Sequence, residues 1–280
     1  MTTTITAPAG RHAAVAPAPI PDVSNHISLK QTAANSLTMA YRGILKIKHN
    51  PEQLFDVTVQ PILFTALFAY IFGGSIGGSV SAYLPILIPG ILVQTVVLSS
   101  VTTGTQLRED MDKGVFDRFK SLPIARISAL AGALLADMVR YGLASVLTVI
   151  VGICIGYRPD GGLAGVVGAM LVVVFCSFAV SWVWALVGVT GKSAAAVQGI
   201  SMMIMFPLTF MSGAFSPVEK MPGWLQGIDK ANPVYYMVNT ARDLMNGTGV
   251  TANLGWSLIG SVVVIAIFAP LTLRAYMRHA

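Results

Sequence analysis

Residues 163–197 read LAGVVGAMLVVVFCSFAVSWVWALVGVTGKSAAAV, and from Leu163 to Val189 there is no charged side chain. A helix crosses a hydrocarbon layer about 30 Å thick with about 20 mostly apolar residues, so this run is long enough to span a membrane. It breaks at Gly191-Lys192-Ser193, a triplet that also closes phosphate-binding loops. Such a loop needs Gly-x-x-x-x-Gly-Lys-Ser/Thr after a strand, because its glycines let backbone N–H groups curl around the phosphates. Five residues before Gly191 stands Leu186, the preceding residues belong to an apolar helix, and no acidic magnesium-binding strand follows. The triplet therefore reads as a tight turn between two membrane spans, and this chain is expected to have no nucleotide site.

Outward from that turn the same character holds. The 280 residues are 54% hydrophobic and 11% charged, with a mean hydropathy of +0.70, whereas a soluble domain carries about 25% charged residues. The pattern predicts an all-α polytopic membrane protein with six spans, near 54–72, 84–106, 127–155, 163–189, 195–215 and 254–276. Pro61, Pro89, Pro207 and Pro270 fall in or near these spans and predict kinks, since neighbouring helices and Ser/Thr side chains satisfy the carbonyls that proline frees. A net charge of +6 does not make this a nucleic-acid binder, because the basic residues sit between apolar runs instead of on one exposed face. Cys154 and Cys176 lie inside apolar segments, where a thiol packs as a small hydrophobe; neither a disulfide nor a metal site is expected. Residues 1–35 read as a disordered tail, the first 26 being rich in Ala, Pro and Thr with no apolar core.

Basic residues orient such a bundle, because cytoplasmic loops retain Lys and Arg. With both termini inside, thirteen of the 18 Lys and Arg fall on the inner side, four on the outer side (Arg158, Lys220, Lys230 and Arg242), and Arg140 within the third span. Before the first span, Leu37, Tyr41, Ile44, Leu45 and Lys48 recur at helical spacing beside Arg42 and Lys46. This predicts a basic amphipathic helix in the membrane interface, the alternative being a plain juxtamembrane linker.

Three further features bear on function. The charged inner stretch QLREDMDKGVFDRFKSLPIARIS, 106–128, is interrupted by Val115, Phe116, Phe119 and Leu122. Val115, Phe119 and Leu122 at i, i+4 and i+7 would present one apolar stripe bordered by charge, suited to docking on a soluble partner, with Gly114 as hinge and Pro123 as stop. A passive loop is the bland alternative. In the third span, Asp137 and Arg140 share a face and can pair; a charge at mid-bilayer costs about 2.5–3.5 kcal/mol, so both should face the bundle interior or lie near the inner edge. They are either a structural ion pair or a gate. The segment 216–253 is too apolar and aromatic for a free linker and predicts two short re-entrant or interfacial helices divided near Asn232-Pro233. In the fifth span Met203, Phe206 and Phe210 offer soft surface for a pathway or a dimer interface, and lipid contact explains them as well.

Two stretches carry a family resemblance. LREDMDKGVFDRFKSLPIAR resembles the segment before the third span of ABC-2 type permeases, the membrane subunits of ATP-driven exporters. SGAFSPVEKMPGWLQGIDKANPVYYMVNTARDLMNG, 212–247, resembles that family's signature after the fifth span, with Gly213, Phe215, Pro217, Pro222, Trp224, Asn232, Pro233, Tyr236 and Arg242 in matching order. The chain is most similar to the daunorubicin-resistance group, exporters of drugs, secondary metabolites or complex lipids.

The resemblance, which covers 36–280, implies a bacterial inner-membrane permease. Arg108, Glu109, Gly114, Val115, Phe116, Arg118, Phe119, Leu122 and Pro123 would form a coupling helix, and the 212–247 residues a cap on the exit side. ATP and Mg would reside on a separate ATPase present in two copies. The permease would pair with itself or with a second permease and carry an amphipathic substrate, with no catalytic residue or cofactor on this chain. A polysaccharide or glycolipid export permease is the nearest alternative. An ion-coupled secondary transporter is another, and among intramembrane ionisable groups it has only Asp137 and Arg140 to draw on.

Overall fold

The computed structural model describes residues 38, 40, 41, 51–114, 126–218 and 221–279. These contain eight helices of four or more residues and no strand: α1 (Pro51–Gly77), α2 (Val80–Asp112), α3 (Arg126–Ile155), α4 (Gly162–Thr190), α5 (Ala194–Phe210), α6 (Gly223–Ala231), α7 (Pro233–Met245) and α8 (Ala252–His279). Thr38, Ala40 and Tyr41 are helical, while the rest of the expected interfacial helix and the 1–35 tail lie outside the described residues.

Short turns make the long helices antiparallel. Ser79 caps α2 by accepting from the Ala82 N–H at 3.2 Å. Gly191 ends α4, and Ser193 caps α5 by accepting from the Ala196 N–H at 3.2 Å. The Gly-Lys-Ser triplet is thus the turn between two helices, with Lys192 exposed.

Among the described residues five helices are long and apolar enough to cross a membrane: Val59–Gly77, Val80–Asp112, Leu130–Ile155, Gly162–Thr190 and Ala252–Arg278. The sixth expected span is shorter than its sequence suggests. The expectation was 195–215, but α5 stops after 17 residues at Phe210, about 26 Å at 1.5 Å per residue. It stops because Met211 takes the cap position and Gly213 turns the chain with φ +74°, a conformation open to glycine.

α2 is the axis of the bundle, touched by α1, α3, α4, α5 and α7. Its most apolar window is 83% buried, against 11% for α8. Close approach of α2 to α4 depends on glycine: a Cβ on Gly104 would lie 2.3 Å from the Trp184 carbonyl oxygen, and one on Gly188 2.3 Å from that of Gly104. Small residues of this kind let helix backbones meet where apolar burial alone supplies no attraction between helices in lipid. Among the described residues α8 lies mainly against α4 and α7, tied by the Thr272 hydroxyl donating to the Trp182 carbonyl at 3.0 Å.

Candidate functional site

The candidate residues gather at three levels of this bundle. At one end, α2 runs past its expected boundary near residue 106 to Asp112, so the first charged residues of the stretch 106–128 are helical. Arg108 pairs with Asp112, and Lys113 with Glu109 at 3.2 Å, each one turn apart on the surface. Such exposed pairs contribute about 0.3–0.5 kcal/mol. Gly114, expected to hinge a docking helix, follows the end of α2: its φ is +64° and its N–H donates to the Met111 carbonyl at 3.0 Å, the left-handed geometry that glycine favours after a helix. Val115, Phe116, Arg118, Phe119, Leu122 and Pro123 lie outside the described residues.

At the middle level α3 presents a polar cluster to α2. Asp137 and Arg140 are 5% and 3% exposed and pair at 2.9 Å. They sit about 10 and 15 Å along the helix from the start of the apolar run Leu130–Ile155, at 1.5 Å per residue. Both side chains face the interior of the bundle. Arg140 donates to the Ser99 carbonyl at 3.0 Å, Thr103 donates to Asp137, and the Tyr141 hydroxyl donates to Thr103 Oγ1 at 2.8 Å. One turn of α2 nearby, the Trp184 indole N–H of α4 donates to Ser100 Oγ at 3.1 Å. The intrahelical ion pair is therefore also a bridge between α3 and α2, and a buried pair is costly to break because its partner is left charged and unpaired.

At the opposite end from the α2 terminus, α7 sits over the starts of α2, α4 and α8, and α6 lies against α7. The expected division at Asn232-Pro233 is present: Asn232 Oδ1 accepts from the Val234 N–H at 3.0 Å and Pro233 begins α7, the Asn-cap and Pro-N1 order that starts helices. Asn232 Nδ2 also donates to the Leu208 carbonyl at 2.7 Å.

Arg242 reaches the carbonyls of Ile86 at 3.1 Å and Gly213 at 3.0 Å, joining α7, α2 and the turn after α5. Phe215 is buried, stacked on Phe68 with ring centroids 4.2 Å apart, and its carbonyl accepts from the Tyr83 hydroxyl at 2.6 Å. The Tyr236 hydroxyl donates to the Lys230 carbonyl at 2.8 Å. Pro217 is half-buried, whereas Pro222, Trp224 and Pro233 are exposed.

The fifth-helix residues are not brought together on one inward face. Met203 and Phe206 are 71% and 53% exposed, while Phe210 turns toward the cap, its ring centroid 4.3 Å from Phe206 and 4.9 Å from Phe215.

Several residues of this end went unread in the sequence. Pro89 has no N–H, so the Pro85 carbonyl one turn earlier loses its helical partner. Asn246 Nδ2 donates to that carbonyl at 2.9 Å, and its Oδ1 accepts from the Tyr157 hydroxyl at 2.8 Å. Gly161 and Gly165 admit the Leu244 carbonyl, which a Cβ on either would approach to 2.0 and 2.2 Å. Their spacing, one turn apart at the head of an apolar helix, is the signal that marks them. Asp229 of α6 is fully buried, neither carboxylate oxygen has a hydrogen-bond partner, and burial raises its pKa.

A long buried axis, a buried ion pair and two short helices at one end thus carry the regions that the sequence singled out. Residues 35–246 match the ABC-2 type transporter family. The daunorubicin resistance ABC transporter permease protein DrrB1 of Streptomyces coeruleorubidus is 45% identical over 241 residues, 86% of this chain and 85% of that protein. The probable doxorubicin resistance ABC transporter permease protein DrrC of Mycobacterium tuberculosis is 23% identical over 196 residues, 69% of this chain and 71% of its own length. A putative transport permease, ycf38, of Porphyra purpurea is 22% identical over 232 residues, 81% of this chain and 77% of its own. This chain belongs to the ABC-2 type transporter family.

Proposed function

We propose that the chain is the permease subunit of an ATP-driven exporter that moves an amphipathic drug, secondary metabolite or lipid out of the cytoplasm or inner leaflet. The observation that carries this reading is the 45% identity, over most of both chains, to a daunorubicin resistance permease. In this reading α5 and the turn after it complete a sixth span, both termini are cytoplasmic in a bacterial inner membrane, and α6 and α7 form an outer interfacial cap. The charge count supports that orientation: the α2 terminus and Lys192 lie on the basic side, and the cap with Arg158, Lys230 and Arg242 on the side poor in cations.

ATP and Mg belong to a separate ATPase, two copies of which sit beneath two permeases. Arg108, Glu109 and Gly114, leading into 115–123, receive its movement, and α2 carries that movement to the Arg242 clamp. Asp137 and Arg140 lie between the two ends as gate or brace. The ion-coupled alternative needs a carboxyl free to exchange its ion, and Asp137 is engaged by Arg140 and Thr103.

The test is a tagged pull-down from gently solubilised native membranes, read by mass spectrometry, with wild type beside a Glu109→Lys, Gly114→Pro double variant. Co-purification of a soluble P-loop ATPase with wild type, lost in the variant, is the expected outcome. Folded wild-type protein that brings down no ATPase and retains transport without one overturns the reading.

A further inference from the structure

At the end of α8 that lies beside the α4–α5 turn, Arg274 and Arg278 stand one turn apart. With Leu186 of α4 and Leu271 and Ala275 of α8 they line a cavity of about 340 Å³. Both arginines are exposed, and among the described residues neither makes a hydrogen bond or an ion pair. Cations at a helix C-terminus are common because they complement the dipole and anchor at the interface. An anchor, however, needs no recess between two helices behind it.

The surface leading to the recess is apolar and open. Ile259, Val263, Ile267 and Leu271 form one i, i+4 ridge of α8, each between 42% and 58% exposed. The ridge rises about 18 Å at 1.5 Å per residue and ends at the two arginines. α8 is also the least buried of the five apolar helices, with 11% of its window covered. A ligand that satisfies all of this has an apolar chain of roughly that length and an anionic head able to take two guanidinium groups. Phosphate is the head that arginine meets best, through paired N–H···O bonds.

The geometry points to a binding site for an anionic phospholipid in the α4–α8 cleft, its phosphate held by Arg274 and Arg278 and an acyl chain lying along the ridge toward Ile259. A free phosphate would leave the apolar ridge and Leu186 unused. An acidic protein segment would have no reason to follow a ridge that faces the hydrocarbon. The site requires only that α8 cross the bilayer with its arginines at a headgroup layer, and not that the chain export anything.

Native mass spectrometry of the full purified chain tests it, with dioleoylphosphatidylglycerol and dioleoylphosphatidylcholine as probes and inorganic phosphate as competitor. Each cation near an anionic surface favours binding by about 1 kcal/mol, so two arginines give wild type about a thirtyfold preference for the anionic lipid. The Arg274→Gln, Arg278→Gln variant should fall near parity, the Arg274→Lys, Arg278→Lys variant, which keeps the charge but loses the paired N–H donors, should fall between it and wild type, and phosphate should not displace the lipid. A diazirine on the acyl chain should label peptides containing Leu186 and Leu271.

Parity in wild type, an unchanged preference in the Gln variant, displacement by free phosphate or labelling elsewhere overturns the site. So does a Gln variant that keeps its lipid preference but loses a co-purifying protein, which would give this surface to that partner. Loss of the lipid preference with ATPase co-purification intact leaves the exporter reading standing, so the two can fail separately.

Discussion

Arg140 illustrates how a single side chain can matter more by its removal than by its presence. Replacing it with Met leaves the Asp137 carboxylate buried and uncompensated, which costs about 3–5 kcal/mol. Arg140→Met should therefore lower the apparent melting temperature of the detergent-purified protein sharply, and adding Asp137→Leu should recover most of the loss. Asn246 bridges two groups at once, so Asn246→Ala orphans both the Pro85 carbonyl and the Tyr157 hydroxyl. At about 1–3 kcal/mol per unsatisfied buried group, its melt should fall further than that of Asn239→Ala. For Asp229, burial raises the folded pKa above the unfolded value near 3.9. The unfolded state then ionises first as pH rises, so this group favours the fold below about pH 3.9 and that contribution is lost as pH climbs through the raised value. Asp229→Asn should accordingly stabilise the protein at neutral pH and bring little gain near pH 3.5, as melts across that range would read.

Among the elements, the α2–α4 crossing is the least tolerant. A methyl at Gly104 or Gly188 meets backbone, not a flexible side chain, at 2.3 Å, so Gly104→Ala and Gly188→Ala should each cut the yield of monodisperse protein, whereas Gly142→Ala meets open space and should not. How far such elements can be read in advance depends on whether their cause is local. Runs such as 163–189, and the Asn-Pro start of α7, carry their own signals, an apolar length in one case and a cap with a fixed φ in the other. The end of α5 does not: the hydropathy runs on to residue 215, and a single left-handed glycine turns the chain earlier. Asn246 is opaque for a different reason, since its partner is a carbonyl orphaned 161 residues away by a proline. The Asp137–Arg140 spacing revealed a pair, but Ser99 and Thr103 come from another helix that no spacing on α3 encodes.

On the scale of the whole molecule, the charge asymmetry and the helix directions make a joint prediction about sidedness. In a Cys154→Ser background, a cysteine at Lys230 should react with a membrane-impermeant maleimide in intact cells, and one at Lys192 only after the cells are opened; the reverse pattern would invert the topology. The length of α2 carries a consequence of its own. Its 33 residues make a rod of about 50 Å at 1.5 Å per residue, longer than the roughly 40–45 Å of a bilayer with its headgroups. Set upright with its first turn at one headgroup surface, such a rod would carry its last turn, with Arg108, Asp112 and Lys113, about 5–10 Å beyond the other, a mooring post at which a partner would float clear of the lipid.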